Sequence, residues 1–181
     1  DWSSDVCSSD LQKQRSMWLA YPMLLLDPAG QQLGMLDWPG GSGATGERAK
    51  PRDLPLDLRG RRYRITQTTL PKGWNSDLRL QLWGAGAMPL ASLDIQAADR
   101  HGARLQLTAP VHGELPALPD RLRIAHAIRL ADGRQGSVQE PSWLSLRRTL
   151  DVRLPHADDA LRAFLGAAVL IARTSNTGTR W

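Results

Sequence analysis

Ala160-Leu-Arg-Ala-Phe-Leu-Gly-Ala-Ala-Val-Leu-Ile-Ala-Arg173 is the stretch on which the fold turns. From Ala163 to Ala172 no residue carries a polar side chain. A helix on a protein surface has an apolar stripe and a polar face, so one that is apolar all round has to be surrounded. These 10 residues span about 15 Å at 1.5 Å each, half of a bilayer core, which makes the surroundings protein and not lipid. Phe164, Leu165, Val169 and Ile171 project in different directions and form the expected core helix, while Gly166, Ala167 and Ala168 keep it slim. Asp158 and Asp159 stand where acids complement the start of a helix, and Pro155 closes the preceding strand.

The material available to wrap that helix is β-strand. Leu78, Leu80 and Leu82 alternate with Arg79 and Gln81, and Leu105 and Leu107 with Arg104 and Gln106. Tyr63 and Ile65 oppose Arg62 and Arg64; Leu150, Val152 and Leu154 oppose Asp151 and Arg153. Leu122, Ile124, Ile128 and Leu130 share a face against Arg123, Ala125, Ala127 and Arg129. Apolar-in, Arg-out at spacing two marks antiparallel strands with one wet face. Turns separate them at Asp27 to Gly30, Asp99 to Gly102 and Asp132-Gly133, the last a hairpin signal. Residues 39–53 have no apolar period and are expected as a long surface loop. Two segments echo one another: Asp27 onward and Asp132 onward each give a turn, a strand beginning near Gly34 or Gly136, and a Trp/Pro pair.

Residues 1–11, Asp-Trp-Ser-Ser-Asp-Val-Cys-Ser-Ser-Asp-Leu, resemble a translated sequencing adapter. The resemblance implies an artefactual segment, exposed or loosely draped, with a native portion missing before Gln12. The chain as a whole has 23 Lys and Arg against 18 Asp and Glu; without Asp1, Asp5 and Asp10 the acids fall to 15. The lone Cys7 goes with that segment, which excludes disulfides and Cys-based zinc sites and leaves the compartment unreadable from cysteine usage. The remaining residues suit a single domain, 12–174, with a short tail at 175–181. Lys13 and Arg15 before the apolar run 17–26 imitate a signal peptide, but Pro22 interrupts it and a turn follows, so a first strand is expected. No run approaches the length of a membrane span. The Arg-rich balance fits either an anionic partner or solvated decoration of the wet faces.

Gly41-Ser-Gly43-Ala-Thr-Gly46 matches G-x-G-x-x-G, but Pro51 follows too soon for the helix that must receive a pyrophosphate, so it is a loop and no cofactor is expected. His101, His112, His126 and His156 form no metal-ligand pair, and no metal is expected. His126 falls by parity on the apolar face between Ile124 and Ile128, where a core histidine satisfied by one hydrogen bond is the plain account and proton transfer the sharper one. His156-Ala-Asp158-Asp159 imitates a metal cluster, yet helix-start chemistry explains its acids. There is no Gly-x-Ser-x-Gly elbow. The scattered carboxylates Asp94, Asp99, Glu114 and Glu140 could act as an acid pair only if the fold unites them. Trp18, Trp38, Trp74, Trp83 and Trp143 are expected to plug the openings of a barrel, with 72–75 and 84–86 as nearby loops; stacking platforms for sugar or single-stranded nucleic acid are the alternative.

A β-rich chain ending in an all-apolar helix, with paired turn-glycine-strand units, resembles the tubby-like barrel family, which includes the LURP-one proteins and phospholipid scramblases. The resemblance implies a closed barrel with residues 160–173 threaded through it, preceded by the strand 150–154. Tubby members bind phosphoinositide headgroups through basic side chains. The Cys-rich run and calcium ligands of scramblases are not visible here, so no scramblase activity carries over. The expected fold is therefore mainly β: an antiparallel barrel enclosing one hydrophobic C-terminal helix, the alternative being a β-sandwich with a packed C-terminal helix. The expected function is a non-enzymatic binding or scaffolding module contacting anionic lipid through arginine, with no catalytic residue assigned and nucleic acid disfavoured. The rival readings are a hydrolase-type enzyme assembled from loops and an extracytoplasmic domain of a larger protein.

Overall fold

A computed structural model describes residues 8–13, 20–39, 52–70, 77–96, 103–118, 124–140 and 149–176. They form strands β1 (Ser8–Lys13), β2 (Ala20–Leu26), β3 (Gln32–Pro39), β4 (Arg52–Leu58), β5 (Arg61–Leu70) and β6 (Asp77–Trp83). The second half adds β7 (Pro89–Gln96), β8 (Arg104–Ala109), β9 (Gly113–Glu114), β10 (Ala125–Leu130), β11 (Gln135–Gln139), β12 (Thr149–Arg153) and the helix α1 (Asp159–Asn176). Neighbours in sequence are neighbours in space and every pairing is antiparallel, so β2 to β12 make one continuous up-and-down sheet.

The two ends of that sheet meet at β1. Residues 8–12 pair with Thr149–Arg153 of β12, and residues 10–13 pair with Met23–Leu26 of β2, so the hydrogen-bonded ladder returns to its start. This differs from the expectation that residues 1–11 stay draped outside: Ser8 and Ser9 pair with β12, and Asp10 and Leu11 are paired on both sides. Two open edges present rows of backbone N–H and C=O groups that any extended segment can satisfy, whatever its side chains. Trp2 and Val6 lie outside the described residues.

Alternation decides which side faces in. Ile65, Leu80, Leu82, Leu93, Leu107, Ile128, Val138 and Val152 are all at most 1% exposed, whereas Arg64, Arg104, Gln106, Arg129 and Arg153 between them face water. Against this inner surface lies α1. Phe164, Leu165, Ala167 and Ala168 have no exposed surface, Val169 and Ile171 are 1% and 4% exposed, and Leu170 is half-buried. Consecutive residues of a helix point about 100° apart, so burial of this whole run means neighbours on every side. The helix touches β1, β6, β7, β8, β11 and β12. Asp158 starts it as an N-cap: its Oδ1 accepts the Leu161 N–H at 2.6 Å.

Boundaries shift from those expected. The loop assigned to 39–53 is strand at its ends, since β3 runs through Pro39 and β4 begins at Arg52. The tail assigned to 175–181 begins two residues later, because α1 includes Ser175 and Asn176. The paired turns have the same geometry. Gly30 and Gly133 sit at φ 79° and 88°, and each donates its N–H back across the turn, to Asp27 and Leu130. Gly34 and Gly136 then stand opposite the buried Leu25 and Ile128. A one-residue register shift at Leu25/Leu26 accounts for the extra residue between turn and glycine in the first copy.

Candidate functional site

Antiparallel wiring sends alternate connections to opposite ends of the sheet. The links β2–β3, β4–β5, β6–β7, β8–β9, β10–β11 and β12–α1 share the end at which the helix begins, and all six lie among the described residues. The Gly41 to Gly46 motif, His101, Asp99, Trp18, Trp74 and Trp143 lie outside the described residues.

The outer wall carries a stripe of polar partners that register creates. Arg79 stands opposite Asp94, Asp94 opposite Gln106, Gln106 opposite Glu114, and Glu114 opposite Arg129. Arg79 grips Asp94 with two parallel bonds, Nε to Oδ1 at 2.7 Å and Nη2 to Oδ2 at 2.9 Å. That grip lifts the guanidinium pKa above its ordinary value. Asp94 and Glu114 are two strand spacings apart, about 10 Å, with Gln106 between them, and Asp94 is already engaged. Glu140 accepts the Ile124 N–H at 3.4 Å. Asp94, Glu114 and Glu140, among the described residues, are thus not brought together as an acid pair. Among the described residues, no group of three or more His, Cys, Asp or Glu converges on a common point.

His126 stands on β10 with its Nδ1 3.0 Å from the Leu115 carbonyl oxygen. A carbonyl only accepts, so Nδ1 carries the proton and Nε2 is the open acceptor. Burial pushes the imidazole pKa below its usual value, more than the Leu115 bond raises it. His112 and His156 are exposed. His156 sits in the left-handed region at φ 57° and its carbonyl accepts from Arg134 at 3.4 Å. Asp158 and Asp159 are occupied by the helix start: Asp158 caps it, and Asp159 binds Arg59 and Arg162.

Trp83 corrects the plugging expectation. Its Nε1 donates to Thr66 Oγ1 at 3.0 Å, and the Arg64 guanidinium lies 5.8 Å from its ring centroid. Thr66 and Arg64 flank the inward-facing Ile65, so Trp83 lies on the outer wall under a cation and closes no opening. Arginines elsewhere on the wall also have acids beside them: Arg64 with Asp53 at 3.5 Å, Arg62 with Asp57 at 3.6 Å, and Arg153 with Asp151 at 2.6 Å. Acids thus stand beside several of the described arginines. The link between β6 and β7 includes the loop expected at 84–86, but sequence reasoning passed over the exposed Met88 and Leu90 that follow it. The run 84–90, with no polar side chain, was the available signal. Comparison with family models, curated proteins and solved structures finds no significant match.

Proposed function

We propose that the chain is a non-enzymatic binding module of the tubby-like, LURP-one-like kind, associating with anionic lipid surfaces. What supports this is the packing of the interior. Among the described residues the inward side chains of the sheet form one hydrophobic cluster with Phe164, Leu165, Val169 and Ile171 of α1, which leaves the polar side chains of the outer wall, the ends and the connections for recognition. Among the described residues no helix is long and apolar enough to cross a membrane, and the net charge of +5 favours anionic surfaces.

The test is co-sedimentation of the full chain with vesicles across a salt series. Binding should require anionic lipid and weaken steeply as salt rises. Equal binding to neutral and anionic vesicles, or none to either, removes the lipid reading.

A further inference from the structure

Residues 84–90 read Gly-Ala-Gly-Ala-Met-Pro-Leu, seven in succession without a polar side chain. They form the bend between β6 and β7 and the first residues of β7. Ala85, Gly86 and Ala87 are exposed, Met88 is 79% exposed and Leu90 is 49% exposed. Single exposed hydrophobic side chains are ordinary. An entire projecting bend without one polar side chain is not, and its neighbour is of the opposite character.

The next link along the same end is the β4–β5 turn, where Arg59 precedes Gly60 and Arg61 and Arg62 begin β5. Arg64 pairs in register with Trp83, so residues 61–63 run on beside the start of the bend. Two strand spacings, about 10 Å, separate the two hairpins. Arg59 is tied to Asp159. Arg62 is 93% exposed and its contact with Asp57 is 3.6 Å, a pairing that water and salt readily replace. Arg61 makes no ion pair among the described residues.

We propose that the adjacent β4–β5 and β6–β7 hairpins form the membrane-docking surface, with Ala85 to Leu90 entering the headgroup–acyl boundary and Arg61 and Arg62 meeting lipid phosphates. The inference rests on the lipid reading above and adds its location and geometry. An apolar tip gains from the boundary region, while cations beside it gain from anionic headgroups at the same depth. A free phosphate would use the arginines and leave Met88 without a role. The boundary still holds water, so the bend can enter it without stranding its backbone polar groups.

The experiment compares the full chain with Met88→Asp, with Arg61→Glu/Arg62→Glu, and with the charge-matched control Arg104→Glu/Arg129→Glu. Each is sedimented with phosphatidylcholine vesicles with and without phosphatidylserine, with thermal melts to verify folding and Met88→Ser as a milder second variant. Met88→Asp and Arg61→Glu/Arg62→Glu should each weaken binding to anionic vesicles by about tenfold or more, the control by about twofold or less. If the parent chain binds anionic vesicles and all variants bind alike, the docking surface is wrong and the lipid reading stands. If the parent chain binds no vesicle, both fall. If sedimentation velocity shows a dimer that Met88→Asp dissociates, the bend is a self-association contact and the membrane assignment is overturned.

Discussion

Arg59 and Asp159 are 100 residues apart in sequence and 2.9 Å apart in space, Nε to Oδ2. The bond fastens the β4–β5 turn to the first residue of α1, and Asp159 uses its other oxygen to hold Arg162 at 3.2 Å. Arg162 is buried at 7% exposure and has one further partner, the Leu154 carbonyl at 3.3 Å. The two cations therefore depend on Asp159 unequally. Arg59 can be hydrated when released, whereas Arg162 cannot.

Asp159→Ala should accordingly destabilise the fold by roughly 2–4 kcal/mol, because it strands a buried guanidinium with a single carbonyl. Arg59→Ala breaks a half-exposed pair and should cost about 1 kcal/mol or less. Urea unfolding of the two variants measures both. Equal losses would mean that Arg162 finds water in the variant.

Gly34 and Gly136, the glycines of the echoed segments, are held by close approach to the next strand. A β-carbon at Gly34 would lie 2.0 Å from the Asp57 carbonyl oxygen, and one at Gly136 would lie 2.1 Å from that of Arg153. Both obstacles are backbone and cannot swing away. Gly34→Ala and Gly136→Ala should each cost about 2 kcal/mol or more by forcing the strands apart. Gly86→Ala has nothing within 4 Å and should be near neutral. Thermal denaturation of the three variants distinguishes packing from a general intolerance of alanine.

The strands that were legible are those with one wet face. Leu80 and Leu82 against Arg79 and Gln81 announce themselves, and so do Leu150 and Val152 against Asp151. β4 hid because Pro55 stands between Leu54 and Leu56 and because the strand follows an aperiodic run. β7 hid because Ala91, Ser92 and Leu93 are buried consecutively at a register shift between Ser92 and Leu93, which erases the period of two. The closing strand was unreadable because backbone pairing with the edges of β12 and β2 needs no side-chain pattern. Site chemistry was harder still. Arg61 and Met88 are 27 positions apart, and only the wiring of the sheet brings their hairpins side by side.

Phe164 is the largest fully buried side chain among the described residues. Phe164→Ala should cost about 3–5 kcal/mol, because a closed interior cannot collapse onto the vacated space. Ala167→Leu should also destabilise, by about 1–3 kcal/mol, from the opposite fault of overfilling. Chemical denaturation should show both losses. Unchanged stability in either variant would mean that the space around this face of the helix is not closed, since Phe164 and Ala167 are three residues apart and share it.

His126 gives the fold a pH dependence of definite sign. Burial depresses its folded-state pKa, while in the unfolded chain it titrates near the ordinary value of about 6.5. Between those two values the unfolded state binds more protons than the native state, so stability rises with pH across the interval. The His126 contribution is fully present above about 6.5 and is lost as pH falls from there through the depressed folded value. One proton sets the ceiling, a slope of about 1.4 kcal/mol per pH unit, and partial exposure keeps the real slope below it. His126→Gln retains a donor for the Leu115 carbonyl but removes the titration. The difference in unfolding free energy between parent and variant, measured from pH 7.5 down to pH 5, should therefore shift in the variant's favour as the solution is acidified. A difference that stays flat across that range would mean that the ring is solvated enough to charge within the native state.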